Sequence, residues 1–349
     1  MTDFKKNLIN HFKKHPKMEI EDVFKFIYHC AFGCEHMVSD FDTAISKIKD
    51  EYNLSPTDDN ALTEELNEKY VRVHLSYLKN GLSAKTLGLL FFLSSKAESE
   101  GENAVFKMLL AVKELISDGR LPFSYTEFSQ KAEKWESDGF PALHHSEAFR
   151  TLYSPKYRVI SRAYLPFLPL LTYIDSANRN RLIIAVDGGS ASGKTTLASL
   201  IEKIYGASVF HMDDFFLTPE MRTPERLSEI GGNVDRERFE KEILIPLMLG
   251  QSVNYRRFDC HSGAFSSPVS VKPSSIVIIE GAYSMHPRLS KYYDFSVFLS
   301  IGRDKQRDRI LKRNSPSLAK RFFDEWIPLE NLYFEKTEIE KRCDLVIDI

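Results

Sequence analysis

Eight residues limit the fold of this chain more than any other stretch: Gly188-Gly189-Ser190-Ala191-Ser192-Gly193-Lys194-Thr195. They fit the spacing G-x-x-x-x-G-K-[ST] and lie between an apolar run, Leu182 to Val186, and a helical pattern, Lys194 to Ile204. Strand, glycine loop and helix in that order form a cradle for polyphosphate. The glycines remove side chains that would block the backbone amides, and the helix start adds favourable partial charge. In this reading Gly188 to Thr196 bind ATP, and Lys194 neutralises the β- and γ-phosphates. The Thr195 hydroxyl ligates Mg²⁺, a cation that takes few protein ligands and keeps its waters. The loop by itself does not separate a kinase from an ATPase or a GTPase.

Around this loop, β-rich runs alternate with helical patterns. The strands are expected at Leu182 to Val186, Ser208 to Met212, Ile276 to Ile279, Phe295 to Leu299 and Leu345 to Ile347, with helices at Lys194 to Ile204 and Asp304 to Arg313. Such alternation predicts an α/β fold, a P-loop NTPase-type parallel sheet with flanking helices. In an open parallel sheet, ligands sit outside the carboxyl ends of the strands, so an acidic residue just after a strand shares the crevice with the phosphate loop. Asp213 follows one strand and is expected to take the proton of an attacking hydroxyl. Glu280 ends another and is expected on the magnesium side. Arg307, Arg309 and Arg313 belong to a basic set after the strand ending at Leu299, and Arg307 is expected to bind substrate as well. From there they are placed to close over the reaction and stabilise charge on the transferring group.

Ahead of this half the rhythm is different. From Phe4 to about Arg162 apolar residues recur at helical spacing, as in Glu21 to Met37 and Ser83 to Ala97, and Asn60 to Lys79 and Asn103 to Ser117 read the same way. Pro166 and Pro169 interrupt the pattern, and a short polar stretch follows. The expectation is therefore an all-α domain over residues 1–174 and a P-loop kinase domain over 175–349. His29, Cys30, Cys34 and His36 are close in sequence, but the segment is strongly apolar and lacks a paired C-x-x-C, so the thiols are read as core packing. His144-His145 is read as a loop or a cap.

Lys and Arg number 47 against 49 Asp and Glu. That balance gives no whole-protein field to draw nucleic acid or an anionic membrane, so neither is expected as a partner. No apolar run reaches 18 residues and the four cysteines are too few for a disulfide framework, which points to a cytoplasmic protein with reduced thiols. Glu330 to Glu335, ENLYFE, matches a protease-recognition sequence used in engineered proteins. The chain continues into a further helix and strand, so the segment is read as native.

The order of several motifs carries a resemblance. DGGSASGKTT at Asp187 to Thr196, HMDDFF at His211 to Phe216, NVDRERF at Asn233 to Phe239, YRRFDCH at Tyr255 to His261 and IVIIEG at Ile276 to Gly281 together resemble the uridine kinase and phosphoribulokinase family of P-loop kinases, over about Arg181 to Ile349. The resemblance implies that Asp213 is the catalytic base, that Asp235 binds substrate hydroxyls, that Phe258 and His261 face the acceptor, and that the arginine helix forms a lid. Phe216 stands where nucleoside kinases usually carry tyrosine, and YRRFDCH is longer than the familiar Y-x-F-x-x-H. The function expected is ATP-dependent phosphorylation of a hydroxyl on a small molecule, a nucleoside or a sugar-like metabolite, with Mg²⁺. The roughly 165 residues in front exceed what a minimal kinase needs. They leave a second reading open: an ATP-binding regulatory protein whose helical domain engages a partner.

Overall fold

The computed structural model describes residues 1–34, 40–53, 62–96, 99–260 and 262–349. The chain forms two compact units, Met1–Ser176 and Ala177–Ile349.

The first unit is mainly helical, with long helices at Thr2–Lys14, Ile20–Phe32, Ala84–Ser95, Glu102–Ser117 and Tyr125–Ser137. Side chains start three of them. Ser83 accepts from the Thr86 amide, and the Glu19 amide donates to Asp22, one half of a capping box. The unit is not all-α. Strands β1 (Thr63–Glu65), β2 (Tyr70–His74) and β3 (Tyr157–Ser161) form an antiparallel sheet in that order. The helix expected over Asn60 to Lys79 is thus replaced, within the described residues, by a hairpin and a 3₁₀ turn, Leu75–Asn80. Asn67 decides this: its side-chain oxygen accepts from the amides of Lys69 and Tyr70, closing a turn that a helix cannot contain. Tyr70, Val71 and Val73 are residues that fit a pleated surface.

Polar groups run through the core of this unit. Arg72, fully buried, donates to Glu64 at 2.8 Å and to Nδ1 of His29 at 3.2 Å, and its guanidinium lies over the Tyr157 ring. His11 shares Glu64, while His145 links Asp22 to the Tyr157 hydroxyl. Cys30 and Cys34 are buried thiols outside any disulfide, and His36 lies outside the described residues.

The second unit is built on five parallel strands. These are β4 (Leu182–Gly188), β5 (Ser208–His211), β10 (Ile276–Glu280), β11 (Phe295–Ser300) and β12 (Leu345–Asp348), in the order β12-β11-β4-β10-β5. Between β5 and β10 lie two short antiparallel pairs, β6 (Val253–Tyr255) with β9 (Val269–Val271) and β7 (Phe258–Asp259) with β8 (Ala264–Phe265). Strand β4 is buried along its whole length, as expected for a central strand covered on both faces. Helix Lys194–Tyr205 packs Leu197, Leu200, Ile201 and Ile204 inward and stops at Gly206, whose left-handed conformation ends a helix without Cβ strain. No helix among the described residues is long and apolar enough to cross a membrane.

Candidate active site

Because β4 is central, its loop opens into the crevice flanked by the tips of β10 and β11. The close packing there admits only glycine at 188. It sits at φ +144°, and a Cβ would fall 2.5 Å from the Leu299 carbonyl oxygen of the next strand. Gly193, at φ +104°, turns the loop into the helix. The Lys194 ammonium curls back to the Gly188 and Gly189 carbonyls at 2.8 and 3.0 Å.

Register brings the carboxylates to the same edge. Glu280 pairs with Val186 on one side and His211 on the other, so the ends of β4, β10 and β5 coincide. One oxygen of buried Glu280 accepts from the Thr195 hydroxyl at 3.0 Å and from His211 Nδ1 at 2.6 Å. The His211 imidazole is pushed up chiefly by that hydrogen bond. Asp213 follows in the turn Met212–Phe215, open to solvent at the rim yet walled by protein. Loss of solvation raises its carboxyl, Lys194 opposes the rise and Glu280 adds to it. A carboxylate with a raised pKa beside a lysine is suited to accept a proton. Thr195 and Glu280 offer hard oxygens within one hydrogen bond of each other, a donor set that fits Mg²⁺ completed by water and phosphate.

The remaining predicted residues separate. Arg309 reaches the loop, donating to the Ala191 carbonyl at 2.9 Å. Arg313 stacks on Phe322, and Arg307 stacks on Phe323 in a cavity of about 450 Å³ that also touches Gly189. Phe258 lines a different cavity of about 430 Å³, together with Asp214, Arg257 and Phe265. Asp235 caps the short helix Arg236–Phe239 through the Arg238 amide and pairs with the Arg238 guanidinium at 3.4 Å. Ser190, Ala191 and Ser192 form the loop itself, and Thr196 lies exposed on the first helical turn. His261 lies outside the described residues.

Sequence reasoning assigned no role to several residues that meet this site. Asp187, the last acid of β4, accepts from the amides of Gly188 and Met285 and from the Tyr333 hydroxyl. Burial nevertheless pushes it up to about 6. The strand-end rule that selected Glu280 also selects Asp187. Glu330 holds the amide and hydroxyl of Ser190, and Gln306 holds its carbonyl. Burial raises the Glu330 carboxyl against the pull of Lys194. Nothing in local sequence marks Glu330, which is 140 residues away from Ser190.

A parallel sheet with this loop at its central strand defines a P-loop domain. The sequence profile of the Phosphoribulokinase / Uridine kinase family matches residues 183–317. Uridine kinase-like protein 4 of Arabidopsis thaliana is 28% identical over 151 residues, which is 40% of this chain and 32% of that one. A uridine kinase of Chlamydia pneumoniae is 30% identical over 142 residues, 38% of this chain and 62% of that one. Among solved structures, a possible uridine kinase from Bacillus stearothermophilus aligns with a TM-score of 0.42 and 26% identity, covering 54% of this chain and 98% of that one. The chain thus spans about a third of the length of the first Arabidopsis relatives. The C-terminal unit is a P-loop domain similar, over residues 183–317, to the uridine kinase/phosphoribulokinase-like family.

Proposed function

We propose that the C-terminal unit transfers the γ-phosphoryl group of ATP to a hydroxyl of a small molecule. The observation that supports this reading most is the meeting of Lys194, Thr195, Glu280 and Asp213 at one end of three adjacent parallel strands. ATP lies with its phosphates along Gly188 to Thr196, and Lys194 leaves its loop carbonyls for the β- and γ-oxygens. Thr195 and Glu280 hold Mg²⁺, which neutralises developing charge when bound. Asp213 takes the proton of the acceptor hydroxyl as its oxygen bonds to the γ-phosphorus. The bond from phosphorus to the β,γ-bridging oxygen breaks, and ADP leaves. Arg309 supports the loop from behind, and Arg313 closes the helix over it.

The acceptor enters from the cavity walled by Phe258 and Arg257, beside Asp214. Asp235 contributes a contact to an acceptor hydroxyl, and Arg307 approaches from the other side of the loop. An aromatic wall next to paired charges suits a polyol carrying a ring, a nucleoside or a sugar-like metabolite. A mass-spectrometric search of a metabolite mixture for ATP-dependent gains of phosphate tests the reading, with Lys194→Ala as control. A product that forms with the native protein and not with the variant is expected. ATP consumption indifferent to every acceptor, and retained by Asp213→Asn, would refute it.

A further inference from the structure

The segment that reads in sequence as a protease site forms part of helix Ile327–Thr337, and two of its residues grip the phosphate loop. Tyr333 donates to Asp187 at 2.8 Å at the root of the loop. One turn earlier, Glu330 accepts from the Ser190 amide at 2.8 Å and from the Ser190 hydroxyl at 2.6 Å. Glu330 is almost fully buried, so this carboxylate has left water for those two donors. An N–H and an O–H converging on two oxygens of an anion is also how such a loop holds phosphate. The cation of the cradle is engaged internally as well, because Lys194 sits on the Gly188 and Gly189 carbonyls.

Two anions cannot share these donors. A triphosphate entering the loop brings several negative charges against a carboxylate shielded from solvent, where like charges repel far more strongly than in water. We propose that Glu330 is a built-in competitor of the nucleotide, a carboxylate that fills the anion seat at Ser190 until polyphosphate displaces it and that thereby sets nucleotide affinity. This rests on the reading of Gly188 to Thr196 as the ATP cradle. Tyr333 bonds to Asp187, away from the contested donors, and stays in place as the pivot of the helix. Displacement therefore loosens the Glu330 end first.

Calorimetric titration of the full chain with Mg-ATP and with tripolyphosphate tests the idea, comparing the native protein with Glu330→Gln and Lys194→Ala. Glutamine keeps the shape and removes the charge, so both ligands are expected to bind Glu330→Gln about tenfold more tightly. Equal or weaker binding by that variant overturns the competitor. Tripolyphosphate binding without ATP binding in native protein ends the ATP reading and leaves the competitor to be judged on tripolyphosphate alone. Failure of both ligands on both proteins ends both ideas. Hydrogen exchange on the native chain needs no variant. Tripolyphosphate should speed exchange across 327–337, and increased protection there contradicts displacement.

Discussion

Each half of the molecule buries charge, and the two halves do it in opposite ways. In the N-terminal unit burial would raise Glu64, but Arg72 and His11 outweigh it and hold the carboxyl well below the usual range. Burial would likewise raise Asp22, but hydrogen bonds from His145, Glu19 and Ser146 bring it down. In the C-terminal unit Asp187, Asp213 and Glu330 are all raised, because their partners do not cover the loss of solvent. Charges that are matched inside a core hold a structure together. Charges left short of compensation around the phosphate loop are poised to receive a proton, a metal or a phosphate.

Substitution should separate the two kinds. Asp213→Asn is expected to lower kcat about a thousandfold while leaving stability unchanged or slightly higher, since it removes a poorly compensated acid. Turnover with the phosphorylated acceptor, beside a denaturation curve, checks both halves of that statement. Arg72→Met is expected to do the reverse in kind, costing about 3 to 5 kcal/mol of stability by stranding Glu64. Adding Glu64→Leu should restore most of the loss, because two matched apolar groups replace two matched charges. If the double variant is no better than the single, the network is worth more than its pairing, and the contrast between the units weakens.

Much of the second unit is legible in sequence because its information is local. The five strands of the sheet follow from β-rich runs, the glycine loop from a fixed spacing, and Glu280 from its place at a strand end. What escapes is set by distance along the chain. Glu330 meets Ser190 and Tyr333 meets Asp187 only because a helix near the end folds back over the central strand. Arg307 and Phe258 read as one substrate site and line two cavities, since one lies after β11 and the other in β7, the first strand of the β7–β8 hairpin. In the first unit β2 was hidden for another reason. Val71 and Val73 do alternate with Arg72 and His74, but the strand is only five residues long and its polar members are buried as well, so the short alternation does not stand out from the helical pattern around it.

The contrast also has a sign in pH. His11 and His145, with burial as the main cause, are pushed down to about 4. Between that value and the ordinary 6.5 the unfolded chain binds protons that the folded one does not, so the stability they confer is complete above 6.5 and is lost on acidification toward 4. Glu64 and Asp22 extend the loss to lower pH, since their lowered values place it below the ordinary carboxylate range. Asp187 acts the other way. Folded, it holds its proton up to about 6 whereas the unfolded carboxyl releases it near 3.8, so acidification through that window stabilises the second unit. The raised Asp213 and Glu330 act in the same sense, and the raised His211 keeps its bond to Glu280 at acid pH and loses its contribution as pH rises through its folded value. The chain carries two tryptophans, Trp135 in the first unit and Trp326 in the second. Urea unfolding of Trp326→Phe therefore reports the first unit and that of Trp135→Phe the second. From pH 6.5 to 4.5 the stability of the first unit should fall by about 1.4 kcal/mol per pH unit for each histidine, while in the second the loss from His286, which burial lowers to about 4, is offset by the gain from Asp187, so its midpoint should fall less than the first. Midpoints that fall equally would mean that the acids around the phosphate loop are as well matched as those of the helical core.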